Sequence, residues 1–138
     1  MRSKENSMYV THWVKQPGYV YFIGAGKPLV AIKIGIATAD TLKKRLKAIQ
    51  SSNHEEIWTM GLIPFMDGET PIAGANKKEI ELHERFKDFR RFQEGFVGGE
   101  WFSAHESIVS YVENECKSAE ALNEKHEITK LGPGLINA

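Results

Sequence analysis

One cysteine, Cys116, is the entire thiol content of this 138-residue chain. A disulfide within the chain is excluded, and so is a four-cysteine zinc site. Long apolar runs are missing as well. No window approaches the ~20 apolar residues that a membrane-spanning helix needs. These absences lead us to expect a soluble protein of a reducing compartment, located in the cytoplasm and without a membrane partner. Net charge is lacking too: 18 basic side chains stand against 18 acidic ones. That argues against an indiscriminate electrostatic grip on nucleic acid. Internal repeats and low-complexity segments are absent.

What is present suits one compact domain. Hydrophobic residues make up 41% of the chain, enough for a core and too many for general disorder. The charge is polarised. Gly18 to Gln50 carries six basic residues (Lys27, Lys33, Lys43, Lys44, Arg45, Lys47) against Asp40, whereas Phe92 to Glu127 carries eight acids against two lysines. A polyanion would be drawn to the first half.

The pattern of residues divides the chain into an arm (1–17), a folded domain (18–117) and an acidic helix end with a loose tail (118–138). Tyr19-Val20-Tyr21-Phe22-Ile23 and Leu29 to Ile36 read as two strands of an antiparallel hairpin. Their alternation puts Ile32, Ile34 and Ile36 with Val20 and Phe22 on the core side. Tyr19, Tyr21, Ala31, Lys33 and Gly35 then share the other face. Asp40 or Thr41 can cap a helix to about Gln50, with Leu42, Leu46 and Ile49 as its buried stripe and Arg45 flanking it. Glu56 to Ile63 suits a third strand, and Pro64 to Ala75 a loop. Asn76 can cap a helix from Lys77 to about Phe89, striped by Leu82, Phe86 and Phe89. Glu79 falls on the inward side of that helix, where a carboxylate is costly unless something cationic meets it. Trp101-Phe102 reads as a short edge strand. Ser103-Ala104-His105-Glu106 resembles a capping box before a last helix striped by Ile108, Val109, Val112 and Cys116. The expected fold class is therefore α+β: a small three-stranded antiparallel sheet flanked by about three helices.

Five segments in order carry a family resemblance: Val20-Tyr21-Phe22-Ile23-Gly24, Lys33-Ile34-Gly35-Ile36-Ala37, Arg45-Leu46-Lys47-Ala48-Ile49-Gln50, Leu82-His83-Glu84-Arg85-Phe86 and Gly99-Glu100-Trp101-Phe102. The chain resembles the GIY-YIG nuclease superfamily, and within it a phage and bacterial branch described as DNA-binding or nuclease domains. Lys33 stands where the superfamily has its second tyrosine. The resemblance implies a metal-dependent DNA endonuclease, or a DNA-binding module that kept the fold and lost catalysis. It implies Tyr21, Lys33, Arg45 and Glu79 as catalytic residues, Glu79 as the ligand of Mg2+ or Mn2+, and DNA as partner. Lys33, Lys43, Lys44, Arg45 and Lys47 would contact the DNA.

The groups suit that chemistry. Arg45 offers a planar fork for phosphate oxygens. Tyr21 could position or deprotonate a water, helped by a neighbouring ammonium from Lys33. One carboxylate, Glu79, is enough for a magnesium ion that keeps its waters. Gln50, Asn53 and His54 are the nearest polar groups after Arg45, where some superfamily members carry a histidine. Gln50, Asn53 and His83 are accessory candidates, although His83 is more simply a packing or capping residue inside the helix layer. The acidic last helix is a candidate surface for a homodimer or a protein partner.

Overall fold

The computed structural model describes residues 15–91 and 101–118. Residues 1–14, 92–100 and 119–138 lie outside the described residues, and with them most of the expected arm, the Gly99-Glu100 pair and the C-terminal tail. The element order is β1 (Gly18–Ala25), β2 (Ala31–Thr38), α1 (Leu42–Ser51), β3 (Ile57–Phe65), α2 (Pro71–Arg85), a 3-10 turn (Lys87–Phe89), β4 (Trp101–Ser103) and α3 (Glu106–Glu115). The class is α+β, as the sequence implies. The sheet has four strands rather than three, all antiparallel neighbours, in the order β3-β1-β2-β4.

The hairpin forms where the sequence places it. Gly26, at φ 94, takes the left-handed turn conformation that a side chain disfavours. β1 is the central strand, paired along its length with β2 and β3, and aromatic and β-branched residues fill it. The fourth strand is the Trp101-Phe102 segment, which pairs with only Ala31, Ile32 and Lys33 of β2.

Both faces of the sheet are packed, which corrects the expectation of one core face. On one side Val20, Phe22, Ile32 and Ile34 meet Ile72, Ala75, Leu82 and Phe86 of the α2 region and Ile108, Tyr111 and Val112 of α3. On the other side Tyr19, Tyr21, Ile23 and Ala37 meet Leu42, Leu46 and Ile49 of α1. Alternation assigns the faces correctly, but it cannot tell that a second helix layer covers the tyrosine face. Each of the α1 anchors contributes about 1.5–3 kcal/mol by leaving water.

Several boundaries move. α2 starts at Pro71, and Asn76 is an interior residue rather than a cap. Proline's missing N–H costs nothing in a first turn, so Pro71 opens the helix instead of breaking it. The expected loop from Pro64 to Ala75 shrinks accordingly, because β3 also runs on to Phe65. Thr41 is the α1 cap residue but makes no side-chain cap bond. Ser103 belongs to β4, and His105 caps α3 in its place, its Nδ1 accepting from the Ser107 N–H at 3.0 Å. Trp101 is half-buried. At the ends of the domain, the Gln16 and Pro17 carbonyls accept from Ile72 and Ala39, and Lys117 pairs with Leu62 of β3.

Candidate functional site

β4 is only three residues long. Among the described residues no strand pairs with β2 beyond Lys33 on its outer side. From Ile34 to Thr38 no described strand pairs with β2 on that side. The four residues singled out from the sequence meet β2 in different ways: Lys33 inside its pairing with β4, Tyr21 from β1, and Arg45 and Glu79 from the flanking helices.

Lys33 comes first. Its Nζ sits over the Trp101 ring, 5.5 Å from the centroid, held by the β2–β4 pairing that sets the two residues opposite each other. Its partner across β1 is Ile23, so Lys33 is not opposite Tyr21. Tyr21 faces Gly35 instead, so Lys33 lies one diagonal step from Tyr21 along the ladder.

Ile34 comes next. Its carbonyl lies 2.9 Å from His83 Nε2. A carbonyl only accepts, so Nε2 carries the proton and the imidazole tautomer is determined. The His83 ring also lies against Phe102, with centroids 5.4 Å apart. His83 is thus a packing and edge-satisfying residue. One helical turn earlier stands Glu79, whose Oε2 is 3.9 Å from the same Nε2 and whose side chain is 16% exposed. The inward position expected of Glu79 holds. The residues that helical spacing sent outward, Glu81, Glu84 and Asp88, are exposed.

Gly35 faces Tyr21 directly across the β1–β2 ladder. A Cβ on Gly35 would overlap the Tyr21 ring and its hydroxyl oxygen. The phenol lies flat over the glycine, and that close approach explains why glycine stands there. Tyr21 is 1% exposed, a deeper burial than its place on an open face implied.

Ile36, Ala37 and Thr38 end the strand. With Thr41, Arg45 and Ile72 they line a cleft of about 300 Å³. Thr38 Oγ1 donates to Asp40 Oδ1 at 2.7 Å and lies 2.7 Å from Thr41 Oγ1, a small network that pins the β2–α1 corner. Arg45 is exposed on the rim of the stripe that it flanks. One step along a helix is enough to pass from the buried stripe to its rim. Glu79 follows Ile72 by seven residues, roughly 10 Å along α2. Arg45 and Glu79 therefore approach neighbouring residues of β2 from α1 and α2.

Other candidates fall elsewhere. Gln50 is a clamp on the α1–β3 connection: its Oε1 accepts from the Ile57 N–H at 3.1 Å and its Nε2 donates to the Glu55 carbonyl at 3.1 Å. Asn53 and His54 line a cleft of about 400 Å³ at the hairpin-turn end of the sheet, with Arg91 and Trp101. That cleft is larger than the one beside Arg45, but it lies at the opposite end of β2. Gln50 and Asn53 thus do not join Arg45. Lys44 and Lys47 are exposed along α1 and Lys43 is half-buried. The sequence reading missed Thr38 and took Thr41 only as a cap; their i, i+3 spacing before a helix was the signal.

No group of three or more His, Cys, Asp or Glu that could hold a metal occurs among the described residues. A cation at Glu79 would rest on one carboxylate, waters and substrate oxygens. That donor set fits magnesium, which keeps several waters, and does not fit a caged zinc or calcium ion. No described helix is long and apolar enough to cross a membrane.

Residues 18–119 of the 138 match the family described as the T5orf172 domain. No curated protein and no solved structure gives a match to the chain.

Proposed function

The chain belongs to the T5orf172 domain family, a nuclease-like family, and from that premise we propose that it is a metal-dependent DNA endonuclease with a GIY-YIG-like site beside β2. The observation that supports this reading is that Glu79, beside the His83 that meets Ile34, and Arg45, in the cleft with Ile36 to Thr38, come to neighbouring stretches of β2. Phosphodiester hydrolysis needs a water aimed at phosphorus, charge compensation on the phosphoryl oxygens and relief of charge on the departing oxygen. Arg45, exposed in its cleft, binds phosphate oxygens with its guanidinium. Glu79 holds Mg2+ or Mn2+, which supplies charge neutralisation when bound. Tyr21 orients the attacking water, and Lys33 adds a point charge near the backbone of the substrate. Lys43, Lys44 and Lys47 extend the contact along α1.

The second reading, a DNA-binding module without catalysis, is favoured by one observation: Tyr21 is almost wholly buried over Gly35. A phenol so placed packs well and reaches water poorly. Incubation of supercoiled plasmid with the protein and magnesium or manganese separates the two. The nuclease reading expects nicking that disappears in Glu79→Ala and in Tyr21→Phe while duplex binding persists. Binding without nicking by the wild type would establish the module and end the nuclease reading.

A further inference from the structure

α2 has a second shoulder. Glu79 and His83 lie on one side of its buried stripe; Lys78 and Arg85, seven residues apart and so nearly in line, lie on the other. Both cations stand over the same ring. Lys78 Nζ is 5.9 Å and Arg85 Cζ 5.0 Å from the centroid of Tyr111, on α3. Tyr111 itself is buried, its ring against Phe22 and Phe86. The groove between the two helices has a volume of about 370 Å³, and Ser110 and Asn114 line it beside the two cations.

The charge of this groove is not balanced from within. Lys78 is 3.9 Å from Glu81, a loose contact in which the glutamate side chain is 65% exposed. Among the described residues no carboxylate lies within ion-pair distance of Arg85. Glu115 lines the same groove and offsets one positive charge of two. The Ser107 hydroxyl is engaged 2.8 Å from His105 Nδ1, which already accepts from the Ser107 N–H. Its hydrogen is therefore committed to His105, and the neutral donors left facing the groove are those of Ser110 and Asn114.

Two like charges held side by side on one aromatic face, with hydroxyl and amide donors beside them, form a site for a compact polyvalent anion. Their rotamers are already restricted by Tyr111, so less ordering is needed when a ligand arrives. Arg85 supplies a fork that matches two oxygens, and Lys78 a point charge for a third. We propose that the groove between α2 and α3 is a phosphate-binding site, with Lys78 and Arg85 as its cationic arms and Ser110 and Asn114 as its neutral donors. The phosphate comes from a nucleic-acid backbone or from a free phosphate; only the first source rests on the nuclease-family reading above.

The test uses the full chain labelled with 15N. Inorganic phosphate, a short blunt DNA duplex and a glutamate-rich peptide are titrated separately at constant ionic strength. Saturable shifts at the Ser110 to Glu115 amides and at Arg85 Nε–H with phosphate or duplex are expected, and their loss in a Lys78→Gln/Arg85→Gln variant. Arg85 is exposed and Lys78 half-buried, and amide dispersion reads directly whether the variant folds. If the backbone is the source, the same variant lowers the slope of log affinity for the duplex against log salt by about two. An unchanged slope with phosphate shifts retained in the wild type supports the site and assigns it to free phosphate. No saturable shift with either phosphate or duplex overturns the proposal, as does a response to the peptide alone. A Glu79→Gln variant that loses nicking but keeps these shifts separates this site from the proposed catalytic edge.

Discussion

Replacing Gly35 by alanine adds one methyl group at the most crowded point of the hairpin. The new Cβ would lie 2.9 Å from Tyr21 Cε1 and closer still to Cζ and the hydroxyl oxygen. Carbon contacts are comfortable at 3.5–4.0 Å, so the ring or the strand has to yield. The strand has little room, because β1 is paired on both sides through this region. The ring has little either, since Tyr21 is packed within the cluster under α1. Gly35 has no positive φ, so the cost is steric and not conformational. Overpacking of this kind costs about 1–3 kcal/mol, and the rigid surroundings place Gly35→Ala in the upper half of that range. For a domain of this size that lowers the melting temperature by roughly 8–20 °C. Urea unfolding followed by circular dichroism reads it. A double-mutant cycle sharpens it: in a Tyr21→Leu background, which removes the ring edge, Gly35→Ala should cost at least about 1 kcal/mol less. Wild-type stability in Gly35→Ala, or strict additivity in the cycle, would refute the account of Tyr21 lying over Gly35.

Three further outcomes are expected. Arg45→Ala should change stability by less than about 0.5 kcal/mol, because the side chain is exposed, yet weaken duplex binding roughly 10- to 100-fold, the value of a charge-assisted contact; fluorescence anisotropy checks it, and unchanged affinity would remove Arg45 from the site. Cys116, its thiol pushed up to about 12 by burial and then by the neighbouring Glu115 charge, should react with a disulfide reagent at pH 8 on the order of a thousandfold more slowly folded than in urea; rates within tenfold of each other would contradict the burial. The same thiol has a raised folded pKa, so its protonated form favours the native state and this stabilisation fades as pH climbs from about 9 towards 12; urea midpoints measured across that range should fall.

The elements that alternation or helical spacing defines were legible in the sequence: β1, β2, the α1 stripe of Leu42, Leu46 and Ile49, and the inward turn of Glu79. What was not legible depends on partners distant in the chain. Tyr19 and Tyr21 could be assigned to a face, but nothing local says that α1 closes over that face. The fourth strand is too short to announce itself, and only its pairing with Ala31 to Lys33 makes Trp101 a platform for Lys33. Asn76 has the chemistry of a cap and sits in mid-helix, because Pro71 opens α2 earlier and Gly74, packed near Phe65, is tolerated inside it. The offset that sets Tyr21 opposite Gly35 and Lys33 opposite Ile23 has the same root, since a strand sequence does not contain its own register.

His83 offers the cleanest separation of scaffold from site. Its Nε2–H satisfies the Ile34 carbonyl next to the described end of the β2–β4 pairing, and its ring backs Phe102. His83→Ala leaves that carbonyl unsatisfied beside a buried strand, a cost of about 1–3 kcal/mol, with lost packing in addition. His83→Gln keeps an amide donor of comparable reach and should recover part of that cost. Glu79 sits one turn away, 3.9 Å from the same nitrogen, so a shift of the β2 edge also shifts the carboxylate. On the nuclease reading, His83→Ala should raise the magnesium concentration for half-maximal nicking, measured at a temperature where the variant remains folded, and His83→Gln should restore it. If stability recovers in His83→Gln but the magnesium dependence stays as in His83→Ala, the imidazole acts on Glu79 directly. If neither substitution moves the magnesium dependence, Glu79 is held by α2 alone and the strand edge plays no part in placing it.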